Sequence, residues 1–284
     1  MSVFSGHLQI RAARRAHGRT VLAEQAFRAP FHLSKPYWDA DAGVLITQVV
    51  NPTAGILTGD QLASDITVDS GAALLVTTPS ASRIFTMREG SAESRQRFAV
   101  AEGGWLEVLP EPLVPHRASR FRQVTQVELA PGGGLFFVDQ LTPGRVRHRG
   151  EAWLWDRLQL ELEVRLGGEL VLRERLDQTG EQLRILADLA GSGPSACFAN
   201  AILLAPEAPP ATQTTTASNT LPWKPALAAL HGDGLWLGVS ALRRGGWSIK
   251  IVAPDTIRLR KALRETRRIL TAHYPRLAAE VRKF

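Results

Sequence analysis

Three eleven-residue segments of the chain share one pattern, and this repeat constrains the fold more than any other feature. Each is a short strand, a two-residue polar step, a glycine, a small residue and a second strand. The copies are ITVDSGAALLV (66–76), FAVAEGGWLEV (98–108) and VELAPGGGLFF (127–137), with LEVRLGGELVL (162–172) as a shortened fourth. Recurrence near 30 residues predicts one unit stacked on its own copies. Glycine-turned hairpins of an ordinary antiparallel protein would look similar, so both arrangements stay open.

Much of the remaining chain also predicts strands. Aliphatic segments bounded by Gly, Pro or Asp lie at residues 44–50, 72–78, 123–129 and 235–240. Residues 158–166 alternate Leu or Val with Gln, Glu and Arg, which is the period of a strand with one buried face. Gly167-Gly168 predicts a tight turn, with 169–175 as the returning strand. We therefore expect a mostly β fold with a stacked, helix-like arrangement of strands and few helices.

Helices are expected at residues 181–190 and near the C-terminus. Asp255 is a candidate N-cap, and Pro275 should kink or divide the helix that follows. Its apolar stripe is predicted to comprise Leu259, Leu263, Thr266, Leu270, His273, Leu277 and Val281.

The domain organisation follows from a change in composition. Residues 206–222 are rich in Pro, Thr and Ala and predict a surface loop or linker. A β body is expected at 1–205. C-terminal strands, including 247–252, and the basic amphipathic helix are expected at 223–284, packed on the same domain.

The net charge of +7 is concentrated at one end of the chain. Residues 255–284 carry nine cations against three acids, so the preceding 254 residues are nearly neutral. A basic chain suggests a nucleic-acid partner, but a uniformly basic body is absent. No apolar run reaches the roughly 20 residues of a membrane span. Without a recognisable secretory signal, and with the single cysteine Cys197, the sequence predicts a cytoplasmic location.

Several common catalytic motifs are absent from the sequence. There is no GxxxxGK[ST] phosphate loop. GSGPSA at 191–196 imitates a dinucleotide fingerprint, but a helical segment precedes it and a strand-like segment follows, the reverse of what that motif needs. The seven histidines form no HxH or HExxH pair, which argues against a metal site built from local spacing. His116 and His148 stay open as weak metal ligands.

Three segments contain residues that are unusual in plain strands. In NPTAGILTGD (51–60), Asp60 either faces inward or caps backbone amides of the turn. In PEPLVPH (110–116), three prolines predict a rigid extended edge, because proline cannot donate a backbone hydrogen bond. GRVRHRGE (144–151) is a cation-rich loop that ends in a carboxylate, and a solvated charge cluster is the simpler interpretation.

Together these segments identify a family resemblance. With Pro36-Tyr37 before Gly43, GAALLVTTPSASRIF (71–85), LEVLPEPLVPHRASRFRQ (106–123) and IVAPDTIRLRKAL (251–263), the chain resembles the urease accessory proteins UreD, also called UreH. The resemblance covers nearly the full length in the same order.

The resemblance implies a mostly β, stacked protein that is a chaperone of nickel insertion and not an enzyme. Such a protein binds UreF, recruits UreG through UreF, docks on apo-urease and could dimerise through UreF. No tightly bound cofactor is implied, only transient Ni²⁺ in a water-filled passage. One cysteine and no paired histidines fit that expectation, because an ion in transit needs exchangeable oxygen ligands.

The resemblance also carries site residues onto this chain. It implies Asp60, Asp139 and Glu151 as carboxylates that line the nickel passage. It further implies motif or interaction residues at Asn51, Pro52, Gly55, Gly59, Thr78, Arg83, Pro112, Pro115, Arg145 and Gly150.

Two other classes of function remain as alternatives. A carbohydrate-active β-helical enzyme would use Asp60 and Asp139 as a carboxylate pair about 5–10 Å apart, although only 7% of the residues are aromatic. A nucleic-acid-binding module would use the basic C-terminal helix, although the apolar stripe of that helix predicts one buried face.

Overall fold

The computed structural model describes residues 5–53, 55–148, 150–205 and 223–281. The predicted linker at 206–222 lies outside the described residues. The strands are β1 (Ser5–Arg14), β2 (Thr20–Arg28), β3 (His32–Leu33), β4 (Tyr37–Asp39), β5 (Val44–Val50), β6 (Gly55–Ile56), β7 (Gln61–Val68), β8 (Ala73–Thr77), β9 (Ser82–Ile84), β10 (Ala92–Val100), β11 (Trp105–Leu109), β12 (Leu113–Pro115), β13 (Arg120–Leu129), β14 (Gly134–Leu141), β15 (Gly144–Arg145), β16 (Glu151–Ala152), β17 (Arg157–Leu166), β18 (Glu169–Gln178), β19 (Cys197–Leu204), β20 (Trp236–Ala241) and β21 (Trp247–Ala253). The helices are α1 (Gly180–Leu189), α2 (Trp223–Ala228) and α3 (Thr256–Thr271), and a 3₁₀ turn covers Pro275–Ala278.

The chain winds as a coil through two large sheets and one narrow face. The seven-stranded sheet has the order β18-β17-β13-β10-β7-β1-β2, and its five central strands are mutually parallel. In the larger sheet β5, β8, β11 and β14 are parallel, and β19, β21 and β20 follow in antiparallel order. The short strands β6, β9 and β12 are stacked on the third face. The prediction of a mostly β fold with stacked strands is confirmed.

Each copy of the sequence repeat forms one turn of this coil, which we call a rung. Phe98 of the second copy lies opposite Ile66 of the first and Val127 of the third, so spacings of 32 and 29 residues are the stacking registers. The turn glycine of each copy has a positive φ, at Gly71, Gly103 and Gly132. Glycine adopts that conformation without steric cost, which explains its presence at every turn between the sheets. Parallel rungs, and not separate antiparallel hairpins, account for the first three copies.

The fourth copy departs from the repeat halfway along. β17 stacks on β13 with Val164 opposite Val127. The sequence repeat aligns Leu162 with Val127, so the stacking register differs from the repeat by two residues, and inward side chains stay inward. Instead of crossing to the larger sheet, the chain reverses at Gly167-Gly168, both with positive φ, into the antiparallel strand β18. The predicted hairpin is confirmed, and its reversal ends the seven-stranded sheet.

Alternate side chains of the larger sheet enter two different cores. Leu106 and Val108 face the seven-stranded sheet in the core between the sheets. Trp105, on the opposite face of β11, packs in a core beneath α2 and α3. A third core, around Trp153 and Trp155, closes one end of the coil against α1. The larger sheet is thus covered on both faces, as expected for parallel strands.

The C-terminal helix forms as predicted. The Asp255 side chain caps α3 by accepting a hydrogen bond from the Arg258 amide at 2.8 Å, and Pro275 begins the 3₁₀ turn after the helix has ended. The predicted stripe packs on the larger sheet, with buried side chains at Leu259, Leu263, Thr266, Leu270 and Leu277. His273 and Val281 of that stripe lie beyond the end of α3 and are only partly buried. The short helix α2 precedes β20 and is not predicted by the sequence pattern.

A buried ion pair fixes α3 to the sheet. Glu107 on β11 is 0% exposed, and its two carboxylate oxygens accept hydrogen bonds from Arg267 Nε at 2.7 Å and Nη2 at 3.2 Å. Arg267 Nη2 also donates to the Ala279 carbonyl at 3.0 Å. Burial raises the pKa of Glu107 and the Arg267 charge opposes that shift. The carboxylate therefore depends on this one arginine.

Removing Arg267 should destabilise the fold strongly. Arg267→Ala leaves the Glu107 carboxylate buried without its cation, and we expect a loss of about 3–5 kcal/mol in the free energy of unfolding, measured by urea denaturation. Arg268→Ala is the control, because Arg268 pairs with Glu265 at the exposed surface and its loss should cost less than about 1 kcal/mol. Equal losses in the two variants would contradict a structural role for the buried pair.

Candidate functional site

A cavity lined by both polar and apolar side chains lies inside the coil, between the two sheets and the narrow face. Its volume is about 160 Å³. The exposed residues among its lining are Pro79, Ser80 and Ala81, in the loop between β8 and β9. The cavity therefore opens to solvent at this loop, which we call the mouth.

Polar side chains occupy positions of the seven-stranded sheet that face the cavity. Ser64 and Gln96 lie opposite each other on β7 and β10, and Thr125 on β13 extends this row, donating to Gln96 Oε1 at 2.9 Å. Ser94 and Gln123 form the adjacent row. The next inward row holds Ile66, Phe98 and Val127 and belongs to the apolar core. The sandwich interior thus changes from apolar to polar within one strand length.

Asp139 is the carboxylate that faces this cavity from the larger sheet. Its Oδ1 accepts a hydrogen bond from Gln123 Nε2 across the sheets at 3.3 Å. Burial raises the pKa of Asp139 to about 7, with Glu174 adding to the rise and the Gln123 hydrogen bond opposing it. A carboxyl group with this pKa can hold or release a proton near neutral pH, and a bound cation would favour the released form.

A second polar cluster adjoins Asp139 on the neighbouring strands. Asn200 lies opposite Asp139, and Lys250 lies opposite Asn200 on β21. Glu174 of β18 meets them from the other sheet: Lys250 Nζ lies 2.9 and 3.0 Å from its carboxylate oxygens, and the Asn200 amide also donates to it. The Lys250 side chain is 53% exposed. The cavity rows, Asp139 and this cluster form a series of polar side chains that runs from the mouth to the solvent-exposed Lys250, and we call this series the polar path. Glu174, Asn200 and Lys250 are not among the described residues that line the cavity.

The sequence reasoning missed Glu174, Asn200 and Lys250. A signal for Glu174 exists, because it falls in phase with Leu172 and Leu176 on the inward side of β18. An acid in the apolar phase of an alternating strand is costly unless it has a partner. Asn200 and Lys250 carry no comparable signal, since their meeting with Asp139 depends on strand order.

Asp60 occupies a different place from Asp139. It is 1% exposed, and its Oδ2 accepts a hydrogen bond from the Leu57 amide at 2.8 Å within the 51–60 turn. Gly59 before it has a φ of 81°. Asp60 is not among the described residues that line the cavity. The geometry matches the capping interpretation, and a role for Asp60 in nickel passage stays a prediction.

The other motif residues of that turn hold the narrow face together. Asn51 Oδ1 accepts from the Thr53 amide at 3.0 Å, and both Asn51 and Gly55 line the cavity. A Cβ at Gly55 would lie 2.5 Å from the Arg83 carbonyl oxygen, so the close approach of β6 and β9 requires glycine. Pro52 is exposed at the tip of the turn.

The proline-rich segment is extended as predicted but is not an edge. β12 pairs with β9 on one side and with β14 at Leu113 on the other. The prolines fit between neighbours because their carbonyls still accept: Pro112 O from the Ser82 amide at 3.0 Å, and Pro110 O from Gln140 Nε2 at 2.6 Å. Thr78 joins this segment to the mouth, accepting from the Glu111 amide at 2.8 Å.

The 144–151 segment forms a two-strand hairpin closed by an ion pair. Arg145 Nε donates to Glu151 Oε2 at 3.0 Å, and this hydrogen bond lowers the pKa of Glu151. Gly150 has a positive φ in the turn. Glu151 is not among the described cavity-lining residues, so its role in a passage also stays a prediction.

Neither His116 nor His148, the two candidate metal ligands of the sequence analysis, lies in a recognisable metal site. His116 is 4% exposed, stands edge-on to Phe85, and its Nε2 has no hydrogen-bond partner among the described residues. Burial, and then the Arg145 charge, lower the pKa of His116. His148 is exposed in the hairpin turn. Across the described parts of the chain, no group of three His, Cys, Asp or Glu side chains is arranged to hold a metal ion.

The fold and the site define a class: a parallel β-coil protein with a polar path through its interior. A family model described as UreD urease accessory protein matches residues 5–283. The chain is 60% identical over 280 residues to the urease accessory protein UreD of Opitutus terrae, covering 99% of both chains. It is 40% identical over 149 residues to the UreD proteins of Yersinia enterocolitica and Yersinia pseudotuberculosis, covering 52% of this chain and 46% of theirs. The chain belongs to the UreD family of urease accessory proteins. None of its described helices is long and apolar enough to cross a membrane.

The capping geometry of Asp60 gives one testable expectation. Asp60→Ala should lower the free energy of unfolding by about 0.5–2 kcal/mol, as for other side-chain caps, and Asp60→Asn, which keeps an acceptor oxygen, should lose less. Chemical denaturation measures both. Unchanged stability together with lost urease activation would contradict the capping role and favour a role in the passage.

Asp139 should make stability depend on pH. Its folded-state pKa of about 7 lies above the ordinary 3.8, so between these values the folded protein keeps a proton that the unfolded chain has released. The stability it contributes is full below pH 4 and is lost as the pH rises through 7. We expect a loss on the order of 4 kcal/mol between pH 4 and 8 in urea unfolding, reduced in Asp139→Asn. An identical pH dependence in the variant would contradict the assignment.

Proposed function

We propose that this protein is a urease maturation factor that passes Ni²⁺ towards the urease active site through its own interior. It acts as a scaffold and chaperone, not as an enzyme. It binds UreF, recruits UreG through UreF, and docks on apo-urease in the cytoplasm. Membership of the family supports a role in urease maturation, and the interior chemistry supports the passage.

The observation that carries the proposal is the polar path. A sandwich interior is ordinarily apolar, because each buried polar group costs free energy unless it is hydrogen-bonded. Here two carboxylates, Asp139 and Glu174, lie among serine, threonine and amide side chains between the sheets. Packing alone gives no reason for these residue types in this position.

The ligand chemistry of the path suits an ion in transit. Its polar atoms are oxygens and amides, apart from the Lys250 ammonium, and its carboxylates are spaced and not gathered into one cage. A site rich in His and Cys would hold Ni²⁺ tightly, whereas exchangeable oxygen ligands and water let it move. Lys250 holds Glu174 when no metal is present, and an arriving dication would compete for that carboxylate.

The carboxylates of the path should be needed for activation and not for assembly. We expect Asp139→Asn and Glu174→Gln each to lower the nickel content and activity of co-expressed urease several-fold. Pull-down of UreF and urease should be unchanged, because both substitutions keep the shape and a hydrogen-bonding group.

Asp65→Asn is the matched control, since Asp65 pairs with His7 at the outer surface and lies away from the path. If urease activity falls only in proportion to the recovered complex, the passage is contradicted. Full activation by the Asp139→Asn/Glu174→Gln double variant would also contradict it.

A further inference from the structure

The C-terminal helix lies beside the mouth of the polar path. Arg260 Nη2 of α3 is 2.9 Å from Glu111 Oε2, and Glu111 lines the cavity next to the mouth loop. Arg267, two turns further on, binds Glu107 of β11. α3 therefore runs along β11 with its N-terminal half at the mouth.

The outward face of α3 carries four residues in one line: Ile257, Lys261, Arg264 and Arg268. We call this line the α3 stripe. Ile257 is 75% exposed, a high value for a large apolar side chain. Lys261 and Arg264 are exposed and form no ion pair with any described residue. Arg268 is paired with Glu265.

The charges of Lys261 and Arg264 have no described partner that would explain them. Both residues lie beyond the first turn of α3, where the helix dipole has little effect. The Asp255 side chain already caps the N-terminus of the helix. Neither cation is needed for a described contact within the fold.

The stripe also affects a metal ion near the mouth. Cations without partners repel Ni²⁺, so free metal in solution is disfavoured at the place where the polar path opens. An acidic surface laid over the stripe would remove this repulsion and would also close the path to bulk water.

We propose that the α3 stripe is the docking surface for an acidic face of a partner protein that covers the mouth. Lys261 and Arg264 pair with carboxylates of that face, and Ile257, at the N-terminal end of the stripe, supplies an apolar contact. Arg260 couples the partner to Glu111 at the rim of the cavity. The assignment of a covered mouth rests on the proposed passage.

The same surface is a poor fit for nucleic acid. Two cations without partners and an exposed isoleucine would neutralise few phosphates, and binding to duplex DNA scales with the number neutralised. Glu265 and Glu111 beside the stripe would repel a phosphate backbone.

The test is a charge reversal on the stripe. Lys261→Glu/Arg264→Glu is compared with Arg97→Glu/Arg173→Glu, which reverses two exposed cations on the seven-stranded sheet. Binding of purified UreF, apo-urease and a 20-base-pair DNA duplex is measured by biolayer interferometry without nickel. Salt is set at about 100 and 500 mM, because screening weakens exposed charge pairs.

We expect the stripe variant to bind one of the two proteins at least about tenfold more weakly than the control at low salt, with a smaller difference at high salt. Its melting temperature should stay close to that of the wild type, because both side chains are exposed and neither forms an ion pair with a described residue. Equal protein binding by the two variants overturns the proposal. The proposal is also overturned if the wild type binds DNA more tightly than either protein and only the stripe variant loses that binding. It is likewise overturned if the wild type self-associates in sedimentation and only the stripe variant does not. Since no metal is used, failure of the nickel passage would leave these results unchanged.

Discussion

The parallel register of the rungs is the constraint on which both the fold and the site depend. Side chains of a strand alternate between faces, so a slip of one residue would turn every inward side chain outward. The observed offsets keep Ser64, Gln96 and Thr125 in one inward row and Ile66, Phe98 and Val127 in the next. One register therefore builds an apolar core and a polar lining side by side. The turn glycines hold that register at each crossing between the sheets.

The far part of the polar path exists because the coil stops. A further rung after β17 would have continued both sheets in parallel, but the glycine turn at 167–168 sends β18 back and ends one sheet. The antiparallel strands β19 and β21 then extend the other sheet. Glu174 and Lys250 come from these added strands, 76 residues apart in sequence, and their contact spans the two sheets. The second polar cluster therefore forms because the parallel repeat ends at the 167–168 turn.

The sequence predicts the rungs well and the site poorly, for a physical reason. Strand period, turn glycines and the Asp255 cap are local signals, and the corresponding elements lie where the patterns place them. The prediction of an edge at residues 110–116 is wrong, because composition does not show that proline carbonyls can accept hydrogen bonds from residues on neighbouring strands. Of the three predicted passage carboxylates, only Asp139 lines the cavity; Asp60 bonds its own turn and Glu151 bonds Arg145. Which carboxylates meet is decided by strand order, which no local pattern encodes.

The two ion pairs between α3 and the β11 region differ in how deeply they are buried. The buried pair holds the fold together, whereas the more exposed pair lies where a partner could bind. Glu107 is fully buried, so its arginine cannot leave without a large cost, and that end of α3 is fixed. Arg260 is half exposed and meets the largely buried Glu111 near the mouth, so this pair is more accessible than the Glu107 pair. The excess charge of the last thirty residues is therefore used in two ways. Arg267 locks the helix to the sheet, and the cations of its outward N-terminal half remain available to a partner.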